Sequence, residues 1–274
     1  MKYGRTLSGE IELWLSENPD QFEALAKSVQ ANLDGRWTRQ LDGLDESYWD
    51  LNVRGASVTV HRQHQLGVSV FAEDNPTGVE FLKRLAKALG SGVPDSSLSL
   101  QLPYALQAFL TSSCGVDVAK FAAVFGFDLP QPDRSLLDHD RDMTSTLATH
   151  HGSALRVEVL RCRTEGGLYL REVFLRTVAA DKIVEYGVLA VALTAFSAEA
   201  RAAIEAGRTP LGAILHQFKI PFVSAPIGFF TADAASLAAT PFTLPAGATA
   251  SGRFNRLATP AGETLAWIME ILPP

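Results

Sequence analysis

The spacing of apolar residues in the first ninety positions changes from helical to strand-like and back. Over 21–33 apolar residues recur every three or four positions, and Asp34-Gly35 follows, which predicts an amphipathic helix. A second helix is predicted from Asn75-Pro76 to Gly90. Between the helices are β-rich runs separated by turn residues, at 36–41, 48–53, 57–62 and 66–71. The pattern predicts a helix, a small antiparallel sheet and a helix.

The rest of the chain predicts a linker and then a larger domain. The segment 90–99 is rich in Gly, Ser, Pro and Asp without periodic apolar residues, which is typical of a linker. From Leu155 onwards, apolar residues recur at every second position, which is typical of strands. Strands are predicted at 156–161, 168–176, 183–193, 227–231, 251–257 and 264–272, and helices at 104–110, 116–125, 135–150, 197–206 and 209–216.

These elements predict an α+β protein, because the strands do not alternate strictly with helices. We predict a small α+β domain over residues 1–90 and a second α+β domain over 125–274. Residues 91–124 are predicted to be a linker and a helical connection.

The composition narrows the classes of function. With 24 Lys and Arg against 30 Asp and Glu, the formal charge is −6, so nucleic acid is not an expected partner. No apolar run approaches the roughly 18 residues of a membrane span, and no signal-peptide core follows the basic start. We therefore expect a cytoplasmic protein with no membrane partner. Cys114 and Cys162 lack CxxC spacing and are expected to be ordinary thiols.

Common catalytic motifs are absent. The chain has no GxGxxG, GxxxxGK[ST], HExxH, GxSxG or SxxK sequence. His61 and His64 lie three apart in a predicted strand, so they are expected to be exposed on opposite faces rather than to share a metal. His150 and His151 close a predicted helix, where imidazoles interact favourably with the helix C-terminus. Any chemistry must come from residues scattered along the chain.

Two charged residues lie in predicted strands with largely apolar faces. Alternation places Arg171 on the face of Tyr169 and Val173, and Glu270 on the face of Ile268. A charge buried there needs a partner or a ligand. Two alternatives stay open: an ion pair between Arg171 and Glu270, or a polar cavity that accepts a small anion.

A series of short motifs from about residue 135 to the end, covering about half of the chain, resembles one family. The motifs are Leu136-Leu137 with Asp142-Met143-Thr144, the run Tyr169 to Leu175, Gly187, Thr209 to Gly212, Gly252 to Leu257, and Met269 to Pro273. In order and spacing they are similar to chorismate pyruvate-lyase, which splits chorismate into 4-hydroxybenzoate and pyruvate. The resemblance implies a chorismate lyase-like antiparallel sheet, a buried cavity covered by helical flaps, and no metal or organic cofactor.

The resemblance also implies roles for individual residues. Arg171 would hold the ring carboxylate, helped by the backbone N–H groups of Met143 and Leu211. Glu270 would accept a hydrogen bond from the ring hydroxyl, and the Gly187 amide would line the enolpyruvyl side. Arg171 and Glu270 are therefore the candidate catalytic residues.

The chain departs from the family pattern directly after Gly187. Val188 stands where the family carries an arginine. Chorismate is a dianion, so the loss of one cation leaves a carboxylate without a partner. Arg253 and Arg256 are candidates to replace the missing arginine, because both lie in a stretch that matches the family. The alternative for each is that its side chain is exposed to solvent.

The predicted function is a lyase that acts on chorismate or a close analogue. One alternative is a non-catalytic module that binds small aromatic or cyclohexadienyl carboxylates, because ligand-sensing domains of a class of bacterial transcription regulators resemble chorismate lyase in fold. Another is a degenerate lyase fold that acts in protein interaction. The first ninety residues resemble a small uncharacterised bacterial α+β domain, and a protein partner for it stays open.

Overall fold

The chain forms two compact units, Met1–Asp95 and Ser96–Pro274, in a computed structural model. The structure describes residues 2–6, 8–89, 102–245 and 247–274. The linker predicted at 90–99 lies outside the described residues.

The first unit is a six-stranded antiparallel sheet with two helices. Its sheet order is β1-β2-β6-β5-β4-β3. The elements are β1 (Lys2–Arg5), β2 (Ile11–Ser16), α1 (Phe22–Leu33), β3 (Arg36–Asp42), β4 (Glu46–Val53), β5 (Ala56–Gln63), β6 (Gly67–Ala72) and α2 (Pro76–Ala88). Both predicted helices and all four predicted strands are confirmed. The sequence analysis missed β1 and β2.

Local sequence explains how α1 and α2 begin and end. The Asn75 side chain accepts a hydrogen bond from the Gly78 N–H at 2.9 Å and caps α2, with Pro76 in the first turn. Asp34 ends α1 in the left-handed conformation at φ 55°. Alternation separates two aromatic neighbours: Trp49 contacts Phe22 of α1, whereas Tyr48 stacks on His61.

The second unit is a seven-stranded antiparallel sheet with helices on both faces. Its sheet order is β7-β11-β12-β13-β10-β9-β8. The strands are β7 (Ala122–Val124), β8 (Leu155–Glu165), β9 (Leu168–Thr177), β10 (Ile183–Ala192), β11 (Val223–Asp233), β12 (Thr249–Ala258) and β13 (Thr264–Ile271). The helices are α3 (Tyr104–Phe109), α4 (Asp133–Leu137), α5 (Met143–His151), α6 (Ala198–Glu205) and α7 (Leu211–Gln217). The prediction of an α+β fold around an antiparallel sheet is confirmed.

The two faces of this sheet pack into separate apolar layers. Phe174 and Val188 belong to the layer that includes α3. Val173 and Leu189 belong to the layer that includes α6 and α7. Neighbouring residues of one strand therefore enter different layers, as strand alternation requires.

The structure differs from the sequence prediction in two segments. The helix predicted at 116–125 is instead a 3-10 turn at Val118–Lys120 followed by β7. The helix predicted at 135–150 is split into α4 and α5, because Asp142 caps a new helix N-terminus. Residues of α3, expected in a connection, pack in the core of the second unit, where Leu106 and Phe109 are buried.

Across the described residues, no helix combines the length and the apolar character that crossing a membrane requires.

Candidate functional site

A cavity lies in the second unit between the sheet and the first residues of α5 and α7. Its volume is about 50 Å³, so it can take only a small molecule. The lining comes from β8, β9, β10, β12, β13 and the two helices: Asp142, Met143, Thr144, Val157, Arg171, Val173, Leu175, Glu185, Leu189, Pro210, Leu211, Gly212, Asn255, Leu257, Ile268 and Glu270. A compact one-ring ligand suits this space better than an extended one.

Arg171 is a buried cation that lines the cavity. Its side chain is 1% exposed, and its Nε and Nη1 atoms have no hydrogen-bond partner among the described residues. Burial lowers the pKa of the guanidinium, an effect that Tyr169 and Cys162 oppose. An arginine stays charged even so. A buried charge is costly unless it is paired, so an anion next to this guanidinium would offset that cost.

Glu270 already has a cationic partner. It lies opposite Arg253 in the register of β12 and β13, and its Oε2 accepts a hydrogen bond from the Arg253 Nε. Arg253 also donates to the backbone carbonyls of Leu137 and His139. Arg253 is fully buried. The pair therefore contributes little net charge to the cavity.

Glu185 is a second buried carboxyl group in the cavity wall. It is 4% exposed, and its Oε2 has no hydrogen-bond partner among the described residues. Burial raises the pKa of Glu185 well above its usual range; the Glu270 carboxylate raises it further and Arg253 opposes them. This shift favours the protonated, neutral form of Glu185.

Gly187 provides the space for this carboxyl group. A Cβ atom on Gly187 would lie 3.0 Å from the Oε1 of Glu185 and 3.2 Å from Val173. Gly187 also lies opposite Glu270 in the register of β10 and β13. The Glu185 carboxyl thus occupies the position that any larger residue at 187 would take.

Asp142 connects α5 with α7 at the edge of the cavity. Its Oδ1 accepts from the Ser145 N–H at 2.8 Å, and its Oδ2 accepts from the His216 Nε2 at 2.9 Å. Burial by itself raises the pKa of Asp142, but the hydrogen bonds from His216 and Ser145 outweigh it and hold the pKa below its usual range. Asp142 is therefore an ionised cap with its own partners.

Most of the site residues predicted from the sequence lie in or beside the cavity. Met143, Arg171, Leu211 and Glu270 line the cavity together. Gly187 lies beside it, beneath the Glu185 carboxyl.

The ion pair between Arg171 and Glu270, one of the two alternatives left open by the sequence, does not form, because Glu270 pairs with Arg253. Arg256 is exposed and projects to the opposite face of the sheet from Arg253. Val188 also packs in the opposite layer, so a side chain at this position does not enter the cavity.

Sequence reasoning missed Glu185 and Asn255. Glu185 follows the same period as Gly187 and Leu189 in a strand with few charges, so alternation alone would have placed it on the cavity face. Asn255 alternates with Arg253 in the same way; its Nδ2 donates to the Ser224 hydroxyl at 3.0 Å. For Glu185 the signal was a charged residue in a largely apolar strand, whereas for Asn255 it was only the alternation with Arg253.

The described residues contain no group of three or more His, Cys, Asp or Glu side chains arranged to hold a metal ion. Cys114 is buried and Cys162 is exposed, and both are free thiols.

The chain matches no protein-family model and no curated protein. It matches 14 chains of solved structures. One is gene product SA0254 from Staphylococcus aureus, at 9% identity and a TM-score of 0.34 over 48% of this chain and 87% of that chain. Another is PhnF from Mycobacterium smegmatis, at 13% identity and a TM-score of 0.37 over 48% of this chain and 63% of that chain. With identities and scores this low, neither likeness assigns a function to this chain.

Proposed function

We propose that the second unit binds a small ring carboxylic acid in the cavity between its sheet and helices α5 and α7. The observation that carries this proposal is Arg171, a buried guanidinium in the wall of a small cavity whose Nε and Nη1 atoms have no partner among the described residues. A carboxylate matches the planar donor geometry of arginine in a bidentate manner. The apolar lining residues, among them Val173, Leu189 and Ile268, suit the ring.

The charges in the cavity favour a ligand with a single carboxylate. Arg171 is the one cation among the described lining residues. Glu270 is paired with Arg253, and burial raises the pKa of Glu185, which favours its neutral form. One carboxylate therefore neutralises the site, whereas a second would be buried without a cation. 4-Hydroxybenzoate, a monoanion with one ring, has this chemistry.

A lyase reaction on chorismate is the second candidate. Its support is that Met143, Arg171, Leu211 and Glu270, which the family resemblance selects from separate segments, line one cavity. In that reaction the ring C–O bond of the enolpyruvyl ether breaks, and the ring hydrogen beside the hydroxyl moves to the enolpyruvyl methylene. The ring becomes aromatic and pyruvate leaves, so atoms and electrons balance without a nucleophile.

In this second candidate the residues mainly bind and orient the substrate. Arg171 holds the ring carboxylate, and Glu270 accepts the hydrogen bond of the ring hydroxyl. A fixed orientation of this kind lowers the activation free energy, because the entropy of aligning the reacting groups is already lost when the substrate binds. The second carboxylate of chorismate has no unpaired cation among the described lining residues. This difference favours binding over turnover.

Calorimetric titration with 4-hydroxybenzoate tests the binding proposal. Arg171→Met should weaken binding by at least about 2 kcal/mol, or roughly 30-fold, because the carboxylate loses its buried partner. Arg201→Met, at an exposed position of α6, is the matched control and should bind like the wild type. A wild-type protein that binds neither 4-hydroxybenzoate nor benzoate contradicts the proposal.

Incubation of the purified protein with chorismate separates the two candidates. Equimolar 4-hydroxybenzoate and pyruvate, lost in Arg171→Met, would establish the lyase reaction. Binding of 4-hydroxybenzoate without pyruvate release would establish a binding module instead.

A further inference from the structure

Glu185 is a buried ionisable group of the cavity that neither candidate function uses. Its side chain lines the cavity, and its Oε2 has no hydrogen-bond partner among the described residues. A buried polar group without a partner costs free energy, so such groups in native structures call for an explanation. Glu185 lies in the middle of an apolar sheet, where a leucine would pack without this cost. The carboxyl group is therefore suited to meet a ligand.

Glu185 and Arg171 lie at different levels along the strands of the sheet. Arg171 lies opposite Leu189, and Glu185 lies four residues from Leu189 along β10, which is about 13 Å at the strand rise of about 3.3 Å per residue. Glu270 lies opposite Gly187, halfway between these levels. Along the cavity face, the two glutamates therefore lie on the same side of the Arg171 level.

The two glutamates differ in the hydrogen bonds that they can make. Glu270 is paired with Arg253, and a carboxylate can only accept hydrogen bonds. Burial and the nearby Glu270 carboxylate raise the pKa of Glu185 against the effect of Arg253, which favours its protonated form. A protonated carboxyl group can donate one hydrogen bond. A hydroxyl placed between the two can donate to Glu270 and accept from Glu185.

We propose that Glu185 is a specificity-determining residue that donates a hydrogen bond to the ring hydroxyl of the ligand, opposite the carboxylate held by Arg171. The inference rests on the proposed binding of a ring carboxylic acid and extends it to a hydroxy acid. An amino substituent donates but accepts poorly, and a methoxy substituent accepts but cannot donate to Glu270. A second carboxylate would lie beside Glu270 without a free cation. The site therefore selects a hydroxyl over each of these groups.

Calorimetry with four ligands and three proteins tests the inference. The ligands are benzoate, 4-hydroxybenzoate, 4-aminobenzoate and 4-methoxybenzoate, and the proteins are the wild type, Glu185→Gln and Glu185→Leu. The wild type should bind 4-hydroxybenzoate about tenfold or more tighter than the other three ligands, because analogues without the matching group leave buried polar atoms unpaired. Glu185→Gln, which is neutral and keeps an N–H donor, should retain this preference within about threefold.

Glu185→Leu should lose the preference for the hydroxyl while its affinity for benzoate stays within about threefold of wild type. Its midpoint of thermal unfolding should stay equal or rise, because an unpartnered buried carboxyl group is removed. A purely structural role would instead lower the midpoint and leave the ratio of ligand affinities unchanged.

The outcomes distinguish this inference from the proposed function. If Glu185→Leu keeps the wild-type preference, or Glu185→Gln loses it, Glu185 is not the donor and the inference is overturned, while acid binding at Arg171 stands. The inference is also overturned if the wild type binds benzoate and 4-hydroxybenzoate equally. If the wild type binds none of the four acids, the proposed function fails and the inference fails with it.

Discussion

At the scale of single residues, the second unit buries more ionisable groups than its folding needs. Arg171, Glu185, Arg253 and Glu270 are all at most 4% exposed. Only Arg253 and Glu270 pair with each other. A pair of apolar residues at the two remaining positions would avoid the desolvation cost. Such unpaired groups in a cavity are typical of sites where stability is given up for binding.

His139 is a further buried ionisable residue, next to this cluster. Its Nε2 donates to the Leu136 carbonyl at 2.8 Å and its Nδ1 accepts from the Arg141 N–H at 3.2 Å. Burial, followed by the Arg253 charge, lowers the pKa of His139 to about 4. His139 is therefore neutral near pH 7, with both ring nitrogens occupied.

The lowered pKa of His139 predicts a loss of stability in mild acid. Between about pH 6.5 and pH 4 the unfolded chain binds a proton that the folded chain does not, so stability is full above this window and falls as the pH decreases. From about pH 7 to pH 4.5 the loss from this residue should be roughly 2 kcal/mol. His139→Gln should remove that part of the loss, measured by urea unfolding at both pH values.

His150→Gln is the control for this prediction, because His150 is exposed at the end of α5. It should leave the pH dependence of the wild type unchanged. An equal pH dependence in the wild type and His139→Gln would contradict the assignment of a neutral, buried His139.

At the scale of elements, the N-termini of α5 and α7 are packed through one glycine. A Cβ atom on Gly212 of α7 would lie 2.4 Å from the Oδ1 of Asp142 and 3.0 Å from the Thr144 hydroxyl oxygen. The same Oδ1 accepts the capping hydrogen bond from the Ser145 N–H. The contact of α7 with α5 therefore depends on the absence of a side chain at 212.

Gly212→Ala should displace the Asp142 side chain and break this cap. The loss of an N-cap costs about 1–2 kcal/mol, and 4-hydroxybenzoate should bind more weakly because both residues line the cavity. Asp142→Asn is the comparison, since asparagine caps helices as well as aspartate does. It should cost less stability than Gly212→Ala in thermal unfolding. If Gly212→Ala were as stable as the wild type, the helices would accommodate a side chain at 212 without loss of the Asp142 cap, and the prediction would be wrong.

At the scale of the whole molecule, each unit has a sheet and a core of its own. The apolar layers of the second unit and every residue that lines the cavity lie within 102–274. The first unit buries its own residues, including Val29 of α1 and Leu82 of α2. A unit with its own core can fold alone.

The separate cores predict that residues 96–274 fold without the first unit. This fragment should unfold in one cooperative transition by circular dichroism, and it should bind 4-hydroxybenzoate within about threefold of the full chain. A fragment that unfolds without cooperativity, or that loses ligand binding, would show that the first unit completes the fold or the site.

The sequence by itself determined the order of most elements and the faces of the strands. Both signals are local: a period of 3.6 or 2 and turn residues at the boundaries. Alternation placed Arg171 with Val173, and Glu270 with Ile268, and the structure places these residues on the cavity face. The same rule separates Gly187 from Val188. Elements with weak periodicity, such as β1 and β7, were missed because their strand pairing stabilises them more than their own residues do.

Only the tertiary structure decided which buried charges are paired. Arg171 and Arg253 lie on the same face and are chemically equal candidates for Glu270. The order β12-β13-β10-β9 places Arg253 directly opposite Glu270, and β10 separates Glu270 from Arg171. Strand order depends on packing between segments far apart in sequence, so no local pattern carries it. The raised pKa of Glu185 follows from that packing too, because burial and the neighbouring Glu270 carboxylate both raise it.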